Sequence, residues 1–92
     1  MMSPESRPRL AAKARLRFDR KSSSYMLLYP ERGMVLNPTA ADVLQRCTGE
    51  HTVSAIVDEL ARKYGHKAPA VEREVVSFLT AMTERGLVHA AS

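Results

Sequence analysis

The segment from Leu27 to Val53 reads LLYPERGMVLNPTAADVLQRCTGEHTV, and its pattern predicts most of the architecture. It begins as an apolar run of strand length, reverses at a turn over residues 30–33, and returns as a second short strand over residues 34–36. The hydrophobic period then changes from that of a strand to that of a helix. We therefore predict a hairpin that leaves an edge strand and is followed by helices.

Asn37 and Pro38 mark the start of the first helix. An Asn side chain can cap a helix, and Pro is tolerated at the first helical position because its missing N–H would be unpaired there. Gly49 supplies the stop signal. The apolar residues between these signals recur at helical spacing: Ala40, Val43, Leu44 and Cys47.

Two further helices are predicted downstream, from Thr52 to Gly65 and from about Pro69 to Gly86. The second helix has a continuous apolar stripe of Val53, Ile56, Val57, Leu60, Ala61 and Tyr64. The third directs Val71, Val75, Phe78, Leu79 and Met82 inward. After it, residues 87–88 either add a short closing strand or pack against the core.

Upstream of the hairpin, residues 15–19 alternate between apolar and charged side chains, which predicts one more half-buried strand. Residues 1–13 show no periodicity and contain two prolines, so we expect a flexible basic N-terminal arm there. Residues 14–92 are expected to form a single domain. Its fold class is α+β and resembles a winged helix-turn-helix, with a three-stranded antiparallel sheet followed by a three-helix bundle.

Composition limits the kind of protein this can be. With 92 residues, 45% hydrophobic and 26% charged, the chain is a soluble globular domain with room for one core and a surface site. Its net charge of +4 is concentrated in residues 1–21, where seven basic residues face two acidic ones. A lone cysteine and the lack of any signal peptide or membrane-spanning run predict a cytoplasmic location.

No set of residues has the spacing that catalysis or metal binding requires. His51, His66 and His89 lie in separate segments without partner ligands. Cys47 lies on the apolar face of the first helix, where a buried thiol is expected instead of a nucleophile. The glycines match turns and caps, and no phosphate-binding motif is present. We therefore predict that the chain is not an enzyme and uses no cofactor.

Three kinds of binding protein remain open. A winged-helix DNA-binding regulator fits the helical order, but the third helix has an acidic excess and lacks Asn and Gln to read bases. A protein–protein scaffold module is a further alternative. Peptide binding fits better, because an unblunted edge strand accepts another strand. The predicted peptide-binding residues are Arg32, Gly33, Met34, Val35, Leu36, Val75, Phe78, Leu79 and Met82.

Several motifs, in order and at matching spacings over about residues 8–88, resemble the PqqD family of pyrroloquinoline quinone (PQQ) biosynthesis. The most specific are Leu27-Leu28-Tyr29-Pro30-Glu31 and Leu36-Asn37 with Thr39-Ala40. The others are Pro8-Arg9-Leu10, Leu16 through Asp19, Cys47 with Gly49, Thr52-Val53 and Phe78-Leu79. One departure is Thr48, where the family usually has Asp.

The resemblance implies a peptide chaperone. Members of the family bind the ribosomal precursor peptide PqqA and present it to the radical SAM enzyme PqqE, which cross-links a Glu and a Tyr of that peptide. In the wider class of recognition elements for ribosomally made, modified peptides, the leader adds as a strand to the sheet and packs on the third helix. For this chain, that placement implies that the leader peptide contacts residues 32–36 and the third-helix residues Val75, Phe78, Leu79 and Met82. The oligomeric state is left open between a monomer and an edge-paired or domain-swapped dimer.

Overall fold

The computed structural model describes residues 2–30 and 32–91; Met1, Ser92 and Glu31, which belongs to the predicted turn, lie outside the described residues. The elements are β1 (Pro8–Leu10), β2 (Arg15–Asp19), β3 (Ser24–Tyr29), β4 (Arg32–Val35), α1 (Pro38–Gln45), α2 (Val53–Tyr64), α3 (Ala68–Glu84) and β5 (Val88–Ala90).

The main sheet is three-stranded and antiparallel, with the order β2-β3-β4. Pairing between β3 and β4 begins at Tyr29 and Arg32, so Arg32 and Gly33, which were predicted as turn residues, belong to the strand. Three helices follow in the predicted order. The α+β fold class, with its winged helix-turn-helix-like arrangement, is therefore confirmed.

The helix boundaries follow the capping signals. The Asn37 side chain accepts a hydrogen bond from the Ala40 N–H at 2.8 Å, and Pro38 occupies the first position of α1. The Thr52 side chain accepts from the Ala55 N–H at 3.0 Å in the same way. Each cap satisfies a donor that the helix itself leaves unpaired.

The N-terminal segment differs from the expected arm. β1 pairs antiparallel with β5, so Pro8–Leu10 and Val88–Ala90 form a second, two-stranded sheet. The Ser6 carbonyl accepts from the Val53 N–H at 2.8 Å, and the Pro4 carbonyl accepts from the Ser54 N–H at 3.0 Å. These bonds pair donors in the first turn of α2, so residues before β1 help to cap that helix.

The core lies between the sheet and the helices. Its side chains come from every layer and are almost fully buried: Leu27, Leu36, Val43, Leu44, Val53, Ile56, Leu60, Val75, Leu79, Leu87 and Val88. The packing of these side chains is thus aliphatic. The second sheet closes the core through Val88, so of the two alternatives for residues 87–88 the short closing strand is present, over Val88–Ala90.

An ion-pair network joins α1 to α2. Asp42, only 6% exposed, accepts hydrogen bonds from the Lys63 ammonium at 2.9 and 3.0 Å and from the Tyr64 hydroxyl. Arg46 donates to Asp42 and, at 2.8 Å, to Glu59. Burial alone would raise the pKa of Asp42, but these hydrogen bonds and positive charges outweigh it and hold the pKa below its ordinary value.

Candidate binding groove

β4 is an open edge of the main sheet. Within the described residues it pairs with β3 and with no other strand. The Leu36 N–H donates to the Tyr25 carbonyl at 2.9 Å, so this pair is hydrogen-bonded. Hydrogen-bonded and non-bonded pairs alternate along an antiparallel ladder. The backbone N–H and C=O groups of Gly33 and Val35 therefore point away from β3, toward the space where another strand could add.

The opposite edge of the sheet is different in character. On β2, Arg15 and Arg17 are exposed, and the adjoining turn carries Arg20 and Lys21. Charged side chains along an edge disfavour pairing with a further strand. Val35 on β4 is instead 64% exposed and apolar. The edge suited to strand addition is therefore β4.

A cavity lined by both apolar and polar side chains lies close to the end of this edge strand. It has a volume of about 290 Å³ and lies between the start of α1 and the middle of α3. Its lining residues are Asn37, Thr39, Ala40, Val43, Glu74, Val75 and Phe78. Asn37 follows β4 by two residues, so the cavity lies next to the end of the strand. We call β4 and this cavity together the groove.

The structure divides the predicted site residues into three groups by their burial. Arg32, Gly33 and Val35 are exposed on the edge strand, whereas Met34 and Phe78 are partly buried and pack against the core. Leu36, Val75, Leu79 and Met82 are buried core residues. Of these four, only Val75 also lines the cavity.

Sequence reasoning did not identify the α1 side of the cavity. Thr39, Ala40 and Val43 line it together with Phe78. Ala40 and Val43 do belong to the apolar stripe of α1, but that stripe was read as core only. A signal was available, since Thr39 and Ala40 belong to the Leu36-Asn37-x-Thr39-Ala40 motif that carries the family resemblance.

The lone cysteine is unsuited to chemistry. Cys47 is 3% exposed, and its thiol donates to the Val43 carbonyl at 3.2 Å. Burial raises its pKa to about 12, which keeps the thiol protonated and non-nucleophilic at neutral pH. Among residues 2–30 and 32–91, no group of His, Cys, Asp or Glu is arranged to hold a metal ion.

Thr48, where the family usually has Asp, lies on the surface in the turn after α1. Its hydroxyl accepts a hydrogen bond from the Glu50 N–H at 3.3 Å. An Asp side chain could accept the same bond, so the substitution leaves the turn satisfied and alters only the surface charge.

None of the helices in the described part of the chain has the length and apolar character needed to cross a bilayer.

The fold and the groove define a small binding module of the winged helix-turn-helix type. Residues 24–88 match the family model described as coenzyme PQQ synthesis protein D (PqqD). The chain is also 37% identical to the PqqA binding protein of Rhodopseudomonas palustris strain BisB5, over 95% of its own length and 85% of that protein. It belongs to the PqqD family, as the resemblance predicted. Because such relatives are named as binding proteins, the prediction that it is not an enzyme is also confirmed.

Solved structures agree with this assignment. The PqqD part of Methylobacterium extorquens PqqCD, described as a functional, stand-alone recognition element for ribosomally synthesized and post-translationally modified peptides, matches with a TM-score of 0.83. Its identity is 30%, and the match covers 97% of this chain and 95% of that one. Lasso peptide synthetase B1, solved with its leader peptide, shares the fold with a TM-score of 0.78 at 22% identity, covering 91% of this chain and 99% of that one.

Proposed function

We propose that this protein is a peptide chaperone of PQQ biosynthesis that binds the precursor peptide PqqA by strand addition to β4 and presents it to the radical SAM enzyme PqqE. The observation that carries the proposal is the open edge of β4. The free backbone groups of Gly33 and Val35 face outward, and Phe78 lies in the cavity at the end of the same strand. Residues 14–92 would form the recognition domain, with β1 as part of its packing.

The comparisons support the peptide half of this proposal. The curated relatives that match nearly the whole chain are named PqqA binding proteins, in Rhodopseudomonas palustris and in Methylococcus capsulatus. The similar PqqD part of Methylobacterium extorquens PqqCD is described as a recognition element. A protein with the same fold and an open edge strand is suited to the same ligand.

The energetics of strand addition indicate which contacts must supply the affinity of the groove for a peptide. Each backbone hydrogen bond stabilises the complex by about 0.5–1.5 kcal/mol net. Ordering each peptide residue costs about 1–2 kcal/mol, so strand pairing alone roughly breaks even. Apolar peptide side chains, at about 1.5–3 kcal/mol each when fully buried, must therefore supply the affinity. The cavity beside Phe78 offers a place for such an anchor, and we expect roughly micromolar binding.

Presentation requires that the enzyme contact a surface other than the groove. The groove would be occupied by the peptide, so a ternary complex of peptide, chaperone and enzyme should form.

Both partners would meet this protein in the cytoplasm, where a single reduced cysteine such as Cys47 is usual.

The test is a titration of fluorescently labelled synthetic PqqA with this protein, followed by addition of PqqE. We expect saturable binding to PqqA and no binding to a peptide of the same composition in scrambled order. Addition of PqqE should then raise the fluorescence anisotropy further as the ternary complex forms. Release of the labelled peptide by PqqE would contradict presentation, and an absence of PqqA binding would contradict the proposal as a whole.

A further inference from the structure

The main sheet has a second face that the helices do not cover. Leu27 of β3 is fully buried and lies opposite Leu16 and Met34, so this set of residues faces the core. Side chains alternate along a strand, and the neighbouring positions therefore point outward. We call this outward set the outer face; it consists of Arg15, Arg17, Met26, Leu28 and Val35.

The centre of the outer face is apolar without belonging to the core. Leu16, Tyr25 and Met34 pack against the core cluster, whereas Met26 and Leu28, although only partly exposed, are not among the residues that do so. Val35 lies opposite Met26 and is 64% exposed. Gly33, opposite Leu28, adds no side chain, so the apolar patch stays accessible from the side of β4.

The border of the outer face is basic. Arg15 and Arg17 lie opposite Leu28 and Met26 on β2 and are exposed. Asp19 is the acidic residue next along this side of the strand, but its carboxylate accepts bonds from the Lys21 N–H at 3.3 Å and the Ser22 hydroxyl at 2.9 Å. Among the described residues, neither arginine takes part in a salt bridge. Both guanidinium groups are thus available to an external carboxylate.

From this arrangement we infer that the outer face is a docking surface for a second protein whose own surface presents carboxylates beside an apolar patch. Arg15 and Arg17 pair with the carboxylates, and Met26 and Leu28 supply the apolar contact. Charge complementarity of this kind steers association and fixes orientation. The inference rests on the proposed function and deepens it, because it gives the partner enzyme a surface that lies mainly on β2 and β3 and meets the groove only at Val35.

Other occupants fit the outer face less well. If a second copy of the chain docked through the same face, the acidic residue it would offer to Arg15 and Arg17 is Asp19, whose carboxylate already accepts two hydrogen bonds within its own chain. A nucleic acid would contact two cationic side chains on this face, which can neutralise few phosphates, and an apolar centre that cannot bind phosphates. An added peptide strand uses the outward backbone groups of β4, at the far side of the sheet from Arg15 and Arg17.

The experiment measures the affinity of PqqE, purified anaerobically with its iron–sulfur clusters, for the full chain and for Arg15→Glu/Arg17→Glu. Affinity for labelled PqqA is measured in parallel on the same samples. The matched control is Arg62→Glu/Lys67→Glu, which makes the same change in net charge at exposed positions outside the outer face. A second variant, Met26→Thr/Leu28→Thr, removes the apolar centre but keeps residues that favour strands.

We expect charge reversal on β2 to weaken PqqE binding roughly tenfold or more at low ionic strength, and the control to change it much less. The wild-type affinity should fall as salt is added, since salt screens exposed charges, and the variant's affinity should depend less on salt. Met26→Thr/Leu28→Thr should weaken PqqE binding at both low and high salt. Affinity for PqqA should be unchanged in all of these variants.

Three results with the variants would overturn the inference. The first is unchanged PqqE affinity in both outer-face variants, and the second is an equal loss in the charge control. The third is a loss of PqqA affinity instead of PqqE affinity, which would assign the outer face to the peptide. A wild-type chain that binds PqqA but not PqqE would refute the docking surface and presentation together while leaving peptide binding intact. A failure to bind PqqA would refute the proposed function separately.

Discussion

Val75 and Phe78 lie one turn apart on α3 and line the same cavity, yet Val75 is 2% exposed and Phe78 is only partly buried. Val75 therefore forms the floor of the cavity and Phe78 its rim. A substitution at the floor removes packing from the folded protein, whereas one at the rim acts chiefly on a ligand. The two positions separate binding from stability.

For Phe78→Ala we expect peptide affinity to fall roughly tenfold or more, because an apolar contact worth about 1.5–3 kcal/mol is lost. For Val75→Ala we expect the free energy of unfolding to fall by about 1–3 kcal/mol, as for other cavity-forming core substitutions. Fluorescence anisotropy with labelled PqqA and urea denaturation check the two effects. Circular dichroism confirms that each variant is folded, and full affinity in a folded Phe78→Ala variant would remove the cavity from the site.

Val35→Pro tests strand addition itself. The Val35 N–H points to the open edge, so proline removes a donor that the sheet does not use but an added strand would need. We expect peptide binding to be lost while the protein remains folded. Val35→Thr is the control, because it changes the side chain and keeps the N–H. Equal affinities for the proline and threonine variants would contradict pairing at this edge.

Asp42 should make the protein sensitive to acid. Its folded-state pKa is below the ordinary value, so its stabilising effect is present at pH above about 4 and is lost as pH falls through the folded-state pKa. We expect Asp42→Asn to lower the free energy of unfolding at neutral pH by roughly 1–3 kcal/mol, since the Lys63 ammonium loses its buried partner.

The same variant should show a shallower loss of stability than the wild type as the pH falls below about 4. Urea denaturation over that pH range measures the difference. Asp58→Asn, at an exposed position of α2, provides the comparison. Parallel pH profiles for wild type and Asp42→Asn would show that the network does not contribute in this way.

Deletion of residues 1–12 should destabilise the folded protein as well as remove basic charge. It removes β1, the buried Pro8 and Met2, and the carbonyl groups that cap α2. We expect the free energy of unfolding to fall by at least about 2 kcal/mol, from lost apolar burial alone. Thermal unfolding followed by circular dichroism measures this, and an unchanged melting temperature would restore the expectation of a flexible arm.

Local signals predicted much of this fold. Asn37 with Pro38, Thr52 and Gly65 mark helix ends where the sequence predicted them, and the alternation over residues 15–19 identified β2. The pairing of β1 with β5 left no such signal, because Pro8–Leu10 is short and its partner strand lies near the other end of the chain. A three-residue strand has too little periodicity to be read before its partner is known.

Only part of the candidate site could be predicted, again because the missing information lies in contacts between distant segments of the chain. Periodicity places Leu79 and Met82 on the inward stripe of α3. It does not distinguish a residue buried in the core from one at the rim of the cavity. That distinction depends on what packs against the helix, and here α1 covers part of it with Ala40 and Val43. Edge strand β4 was predictable because it follows from the hairpin and the small number of strands.

The central claim is that a precursor peptide adds as a strand to β4 beside Phe78. An NMR titration of the isotope-labelled protein with synthetic PqqA tests it most directly. On addition of PqqA we expect chemical-shift changes concentrated at residues 32–36, at the start of α1, and around Val75 and Phe78. Amide exchange should slow at Gly33 and Val35. Changes confined to the basic residues of the N-terminal segment and β2, or no changes in a well-folded sample, would contradict it.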